Sequence, residues 1–141
     1  MWSQSNGLPD RALILEEIKM ISGRRIEERR RFRRMTQERL AARAGIGVRW
    51  LREIESGNPK PRIDDHLKCA YALGLSGAHL LIPILFLERH MHFPRHILDD
   101  DMHDLGTRCI EFIARHNLSQ ILGSDQGRSR ERCPPDPSRW D

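Results

Sequence analysis

At 141 residues, 38% hydrophobic and 31% charged, the chain has the size and mixture of about one globular domain, which excludes a pair of large catalytic domains. Its longest mainly apolar run, 80–87, contains Pro83 and falls well short of the roughly 20 residues that cross a bilayer. The net charge of +4 conceals a strong asymmetry: residues 22–62 hold 13 Arg or Lys against 5 Asp or Glu, while the rest of the chain is net acidic.

In chain order, Ile14, Ile18 and Ile21 recur at helical spacing behind a capping Asp10, and the loss of that phase at Ser22-Gly23 predicts a break. A second helix is expected over 24–34, with Ile26 inward and arginines around it. Thr36 is placed to cap a helix running to about Ala44, and Gly45 supplies a left-handed stop. A short turn leads to a helix over 48–55 that shows Leu51 and Ile54 on one face and ends at Ser56-Gly57. A loop at 58–61 precedes a helix over 63–73, closed by Gly74.

Further on, Leu98, Met102, Leu105, Cys109, Phe112 and His116 step by four and three, flanked by Ile110 and Ile113, behind the acidic helix start Asp99-Asp100-Asp101. That stripe packs either on the 80–87 region of its own chain or on the same helix of a second subunit. The tail, 123–141, has a disordered composition. All of this reads as an all-α chain.

Cys69, Cys109 and Cys133 are an odd set at wide spacing, which fits neither a disulfide framework nor a zinc motif. With no basic start and apolar core of signal-peptide type, the expectation is a cytoplasmic protein with free thiols and no membrane segment. His90, His92 and His96, followed by His103, Cys109 and His116, do not form a recognised ligand frame, so no metal is expected. No nucleophile–base pair, phosphate-binding glycine loop or paired carboxylate is recognisable. The expectation is a non-enzyme without cofactor.

Two short helices joined by Gly45-Ile46-Gly47, with small Ala41 and Ala44 permitting a close crossing, have helix-turn-helix spacing. Here the chain resembles the Cro/C1-type, or XRE-family, helix-turn-helix domains of bacterial and phage transcriptional regulators. The matching residues are Gly23-Arg24-Arg25-Ile26, Arg30, 36–41 (TQERLA), Ala44-Gly45-Ile46, 54–57 (IESG), Pro61 and 70–76 (AYALGLS). The resemblance implies a five-helix lambda-repressor-like domain with additional N- and C-terminal helices. The expected division is 1–21 as a helical extension, 22–82 as the DNA-binding domain, 83–122 as a dimerisation or partner region, and 123–141 as tail.

In a helix-turn-helix the second helix enters the major groove and the preceding helix presents its N-terminus to phosphate. That makes Val48, Arg49, Arg52 and Glu53 the candidate base readers, with Arg49 suited to bidentate contact with guanine. Glu53 either accepts from a cytosine amino group or pairs with Arg49 one turn before it. Gln37, Lys60 and Arg62 are the candidate backbone contacts. Trp50 joins them or else packs in the core. The resemblance also implies a structural ion pair between Arg30 and Glu55. Gly47 stands where relatives usually have serine or threonine, and is a weaker cap.

The dimer seam is expected at Leu98, Met102, Leu105, Cys109 and Phe112. The overall expectation is a sequence-specific regulator, a repressor binding double-stranded operator DNA as a homodimer. The alternative is an antitoxin or adaptor whose 97–122 helix captures a protein partner.

Overall fold

The computed structural model describes residues 11–99 and 102–129. They form α1 (Arg11–Phe32), α2 (Gln37–Ala44), α3 (Val48–Glu55), α4 (Ile63–Ala72), α5 (Ala78–Glu88), a 3₁₀ turn (Arg95–Asp99) and α6 (His103–Ser129), with no strand among the described residues. The architecture is the all-α, lambda-repressor-like one expected from the sequence. Asp10, Asp100, Asp101 and Cys133 lie outside the described residues. No helix among the described residues is long and apolar enough to cross a membrane.

The break expected at Ser22-Gly23 does not occur, because α1 runs unbroken through both residues. The apolar phase stops there because the inward face turns polar while the helix continues. Ser22, Arg25 and Arg30 are all buried on it. Gly23 sits at the point where α1 packs on the end of α3: a Cβ there would lie 2.0 Å from the carbonyl oxygen of Ile54. The N-terminal segment is therefore the first half of α1 rather than a separate helix.

The first five helices stop in the same way. A residue in the left-handed region follows each one, and the next amide donates back to the carbonyl five residues earlier: Met35 to Arg30, Ile46 to Ala41, Asn58 to Glu53, Leu75 to Ala70 and Met91 to Phe86, at 2.9–3.1 Å. This closure satisfies carbonyls that the helix end would otherwise orphan. Three of the left-handed positions are Gly45, Gly57 and Gly74, and two are Arg34 and His90. The Thr36 hydroxyl accepts from the Arg39 amide, starting α2.

The core gathers one face of each of the first four helices, namely Ile26, Leu40, Ala41, Leu51, Ile54, Cys69, Ala70 and Leu73, with Met35 and Leu75 from the intervening turns. Leu67, which its spacing also assigns to the core, is only half-buried. Burial pushes the Cys69 thiol up to about 12, so it stays protonated and inert.

The chain divides into two units between His103 and Asp104. In the first, Met102 is fully buried and has a left-handed backbone (φ 65°), which a right-handed helix cannot include. The helical seam expected from Leu98 therefore cannot be continuous: Leu98 lies in the 3₁₀ turn and Met102 ahead of α6. The second unit, as far as it is described, is the body of α6. Leu105 is half-buried there, whereas Cys109, Ile110, Phe112, Ile113, Leu118, Ile121 and Leu122 are exposed. Asp104 and Arg108 pair at 3.0 Å along one side. The segment from 123, expected to be disordered, is helical through Ser129, and the rest of the tail lies outside the described residues.

Candidate nucleic-acid interface

α2 and α3 are short amphipathic helices, and their geometry follows from which residues the core consumes. Leu51 and Ile54 point inward and are fully buried, which leaves Arg49 and Arg52 exposed, with Val48 half-buried beside them. α3 begins at Gly47, which offers no side-chain cap, so the first amides of the helix have no capping partner from its own side chain. No ion pair joins Arg49 to Glu53 among the described residues. The Glu53 carboxylate instead accepts from the Asn58 side-chain amide across the turn that follows α3.

Beneath this face lies a polar network that locks α1, α2 and α3 together. Arg30 grips Glu55 with two parallel hydrogen bonds, Nε to Oε1 at 2.6 Å and Nη2 to Oε2 at 3.0 Å, and also donates from Nη1 to the Met35 carbonyl at 2.9 Å. The forked guanidinium matches a carboxylate in this bidentate form. Both side chains are at least nine-tenths buried. The hydrogen bond to Glu55 raises the Arg30 pKa against the opposing effect of burial.

Gln37 extends the network to the surface. Its Nε2 donates to Glu55 Oε2 at 2.9 Å, and its Oε1 accepts from Arg52 Nε at 3.2 Å. Arg52 is thus steered from α2, with Glu38 a further 3.9 Å partner. The first residue of α2 and an exposed arginine of α3 share one hydrogen-bonded frame, anchored on a buried ion pair.

Trp50 is half-buried against the core. Its indole N–H donates to Asp65 Oδ2 at 2.9 Å, and its ring packs against the core. That gives the partly buried nitrogen its acceptor and ties α3 to α4. The same carboxylate accepts from the Arg62 amide at 3.3 Å and has Lys68 at 3.8 Å. Together these hold the Asp65 carboxyl below its ordinary range, with the Trp50 bond the largest cause. Lys60 and Arg62 are exposed at the far end of the loop, Arg62 with Asp64 at 3.2 Å.

Asp65 and Asn58 are organising residues that sequence reasoning missed. Asp65 had a signal, an acid three residues after the residue that opens α4, where a carboxylate can reach back to the opening amide. Asn58 had only its place after a helix-ending glycine.

Elsewhere, Ser22 joins two buried histidines. His79 Nδ1 lies 2.8 Å from the Ser76 carbonyl, which only accepts, so that nitrogen carries the proton. His79 Nε2 then accepts from the Ser22 hydroxyl at 3.1 Å, and Ser22 Oγ accepts from His66 Nδ1 at 2.9 Å. His66 Nε2 is left buried without a partner. Burial depresses both imidazoles, His66 to about 4. His103 is likewise occupied, with Nε2 donating to the Gly74 carbonyl at 2.9 Å. Among the described residues no group of three or more His, Cys, Asp or Glu converges to hold a metal.

In comparison with known protein families, residues 23–81 fit the model described as a helix-turn-helix domain. No curated protein and no solved structure gives a match to the chain. The matched segment begins at Gly23, where α1 meets α3, and takes in α2 to α4 with the start of α5. Residues 23–81, built on the α2–α3 pair, are thus similar to helix-turn-helix domains, a DNA-binding class, in line with the Cro/C1 (XRE) resemblance of the sequence.

Proposed function

We propose that the protein is a sequence-specific DNA-binding regulator of transcription, a repressor that binds an operator as a homodimer in the cytoplasm. The observation that carries this reading is the division of α3 into a buried apolar face and an exposed face with Arg49 and Arg52, the latter tied to Gln37 at the start of α2. Docked as helix-turn-helix domains are, α3 lies in the major groove, with Val48, Arg49 and Arg52 toward base edges and Gln37, Lys60 and Arg62 toward the sugar-phosphate backbone. Glu53 and Trp50 are given a positioning role, through Asn58 and Asp65. The test is binding of the full chain to duplex DNA across a salt series. Affinity that falls linearly with salt on logarithmic axes is expected. No association with duplex at low salt contradicts the reading.

The exposed apolar residues of α6 support a second subunit as its partner, since helix-turn-helix proteins commonly read two half-sites as dimers. The seam is reassigned to Leu105, Cys109 and Phe112, with Ile113 and Ile110 beside them, because Met102 is buried and Leu98 precedes the helix. Sedimentation of Phe112→Glu alongside the native chain tests it: monomer replaces dimer while helix content is kept. A native chain that sediments as a monomer but copurifies with another protein favours the antitoxin or adaptor reading.

A further inference from the structure

The first half of α1 stands outside the matched segment, yet two of its residues grip the loop that follows α3. Lys19 Nζ donates to the Pro59 carbonyl at 2.8 Å, 40 residues away in sequence. Met20 lies under Gly57: a Cβ on that glycine would come within 3.3 Å of Met20 Cγ, and Gly57 itself has φ 80°. On its other side the loop is held by α3, through Glu53 and Asn58. The Asn58 amide donates to the Glu53 carbonyl at 3.1 Å, and Asn58 Oδ1 accepts from the Lys60 amide at 2.9 Å. Pro61 is fully buried beyond it. The loop therefore has two clamps, one from the recognition helix and one from the N-terminal turns of α1.

We infer that Lys19 is a positioning residue for DNA binding: through the Pro59 carbonyl it holds the 57–62 loop so that Lys60 and Arg62 are presented together to the phosphate backbone. This rests on the DNA-binding reading above. A short loop whose carbonyl is fixed has fewer conformations to lose when its cations meet phosphate, so the clamp lowers the ordering cost of binding. Lys19 contributes through Lys60 and Arg62, and its effect disappears when those side chains are absent.

The test uses the full chain with Lys19→Met, which keeps the stem and removes the donor, and Lys19→Arg, which keeps a donor. Exchange of the Gly57, Asn58 and Lys60 amides is measured without DNA, and affinity for a random-sequence duplex is measured in the native and the Lys60→Ala/Arg62→Ala backgrounds. Lys19→Met is expected to speed exchange in the loop and weaken binding about three- to tenfold in the native background, with less than twofold effect in the double-alanine background. Lys19→Arg recovers most of the loss. Unchanged exchange overturns the proposal, and so do equal losses in both backgrounds, which would make Lys19 a contact in its own right. Failure of the native chain to bind duplex overturns the DNA-binding reading and this proposal with it, whereas the other outcomes leave that reading standing.

Discussion

The α-carbon of Gly23 faces the carbonyl oxygen of Ile54 so closely that the missing methyl group would stand 2.0 Å from it. α1 and α3 meet at this point, in the middle of one helix and the last turn of the other. The oxygen belongs to backbone, which cannot swing aside as a flexible side chain does, so an added Cβ must push the two helices apart.

Gly23→Ala therefore destabilises the first unit, although alanine is the better helix former by about 1 kcal/mol. Overpacking typically costs about 1–3 kcal/mol, and a clash with backbone lies at or above the upper end. A net loss of about 2 kcal/mol lowers Tm by roughly 10 °C in a domain of this size. Thermal melting followed by circular dichroism checks this, and an unchanged or raised Tm would mean that the helices separate at no cost.

The buried ion pair gives a second expectation. Glu55→Ala leaves the Arg30 guanidinium about nine-tenths buried with only the Met35 carbonyl, and removes the acceptor of Gln37. Breaking such a pair from one side costs about 3–5 kcal/mol. Glu55→Gln, which keeps one acceptor oxygen, should lose less. Denaturant unfolding of the two variants beside the native chain decides it, and equal stabilities would show that the network contributes nothing.

The Ser22-linked histidines make stability depend on pH. In the unfolded chain an imidazole titrates near 6.5, whereas His66 in the fold is held neutral down to about 4, and His79 is shifted the same way. The folded state thus binds fewer protons between these values. The stability that the neutral rings permit is fully present above about pH 6.5 and is lost as pH falls through that window to about 4. For His66 the loss amounts to about 3 kcal/mol. Charges near His66 act in both directions, with Lys19 and His79 disfavouring its protonation and Asp65 favouring it, while Arg25 opposes protonation of His79. Unfolding free energy measured from pH 7 to 4 should fall, and His66→Gln should flatten the fall. A profile equally steep in that variant would locate the titration elsewhere.

The sequence made the hydrophobic geometry readable and left the polar geometry hidden. Ile26, Leu40, Leu51, Ile54 and Leu73 follow helical spacing, and Gly45, Gly57 and Gly74 mark ends that need a left-handed residue. Arg34 and His90 play the same part without any compositional signal. Ser22 and His66 are residue types ordinarily met at the surface, and their burial depends on partners 44 residues apart. That same pairing is what turned the inward face of α1 polar and suggested a break where the helix continues. Trp50 was open between core and phosphate because its acceptor, Asp65, lies on another helix. At the other end of the chain, the four-and-three stepping ran across Met102, whose backbone interrupts the helix that the stepping implied.

The central claim is that the exposed face of α3 reads base edges, and Arg49 is its most direct test. Selection of bound duplexes from a randomised library by the native chain should yield a defined motif. Arg49→Ala should lose discrimination at one base position of it, by about 1–3 kcal/mol, while the other positions keep their preference. A native chain that enriches no motif, or a variant whose motif is identical to the native one, would contradict the account.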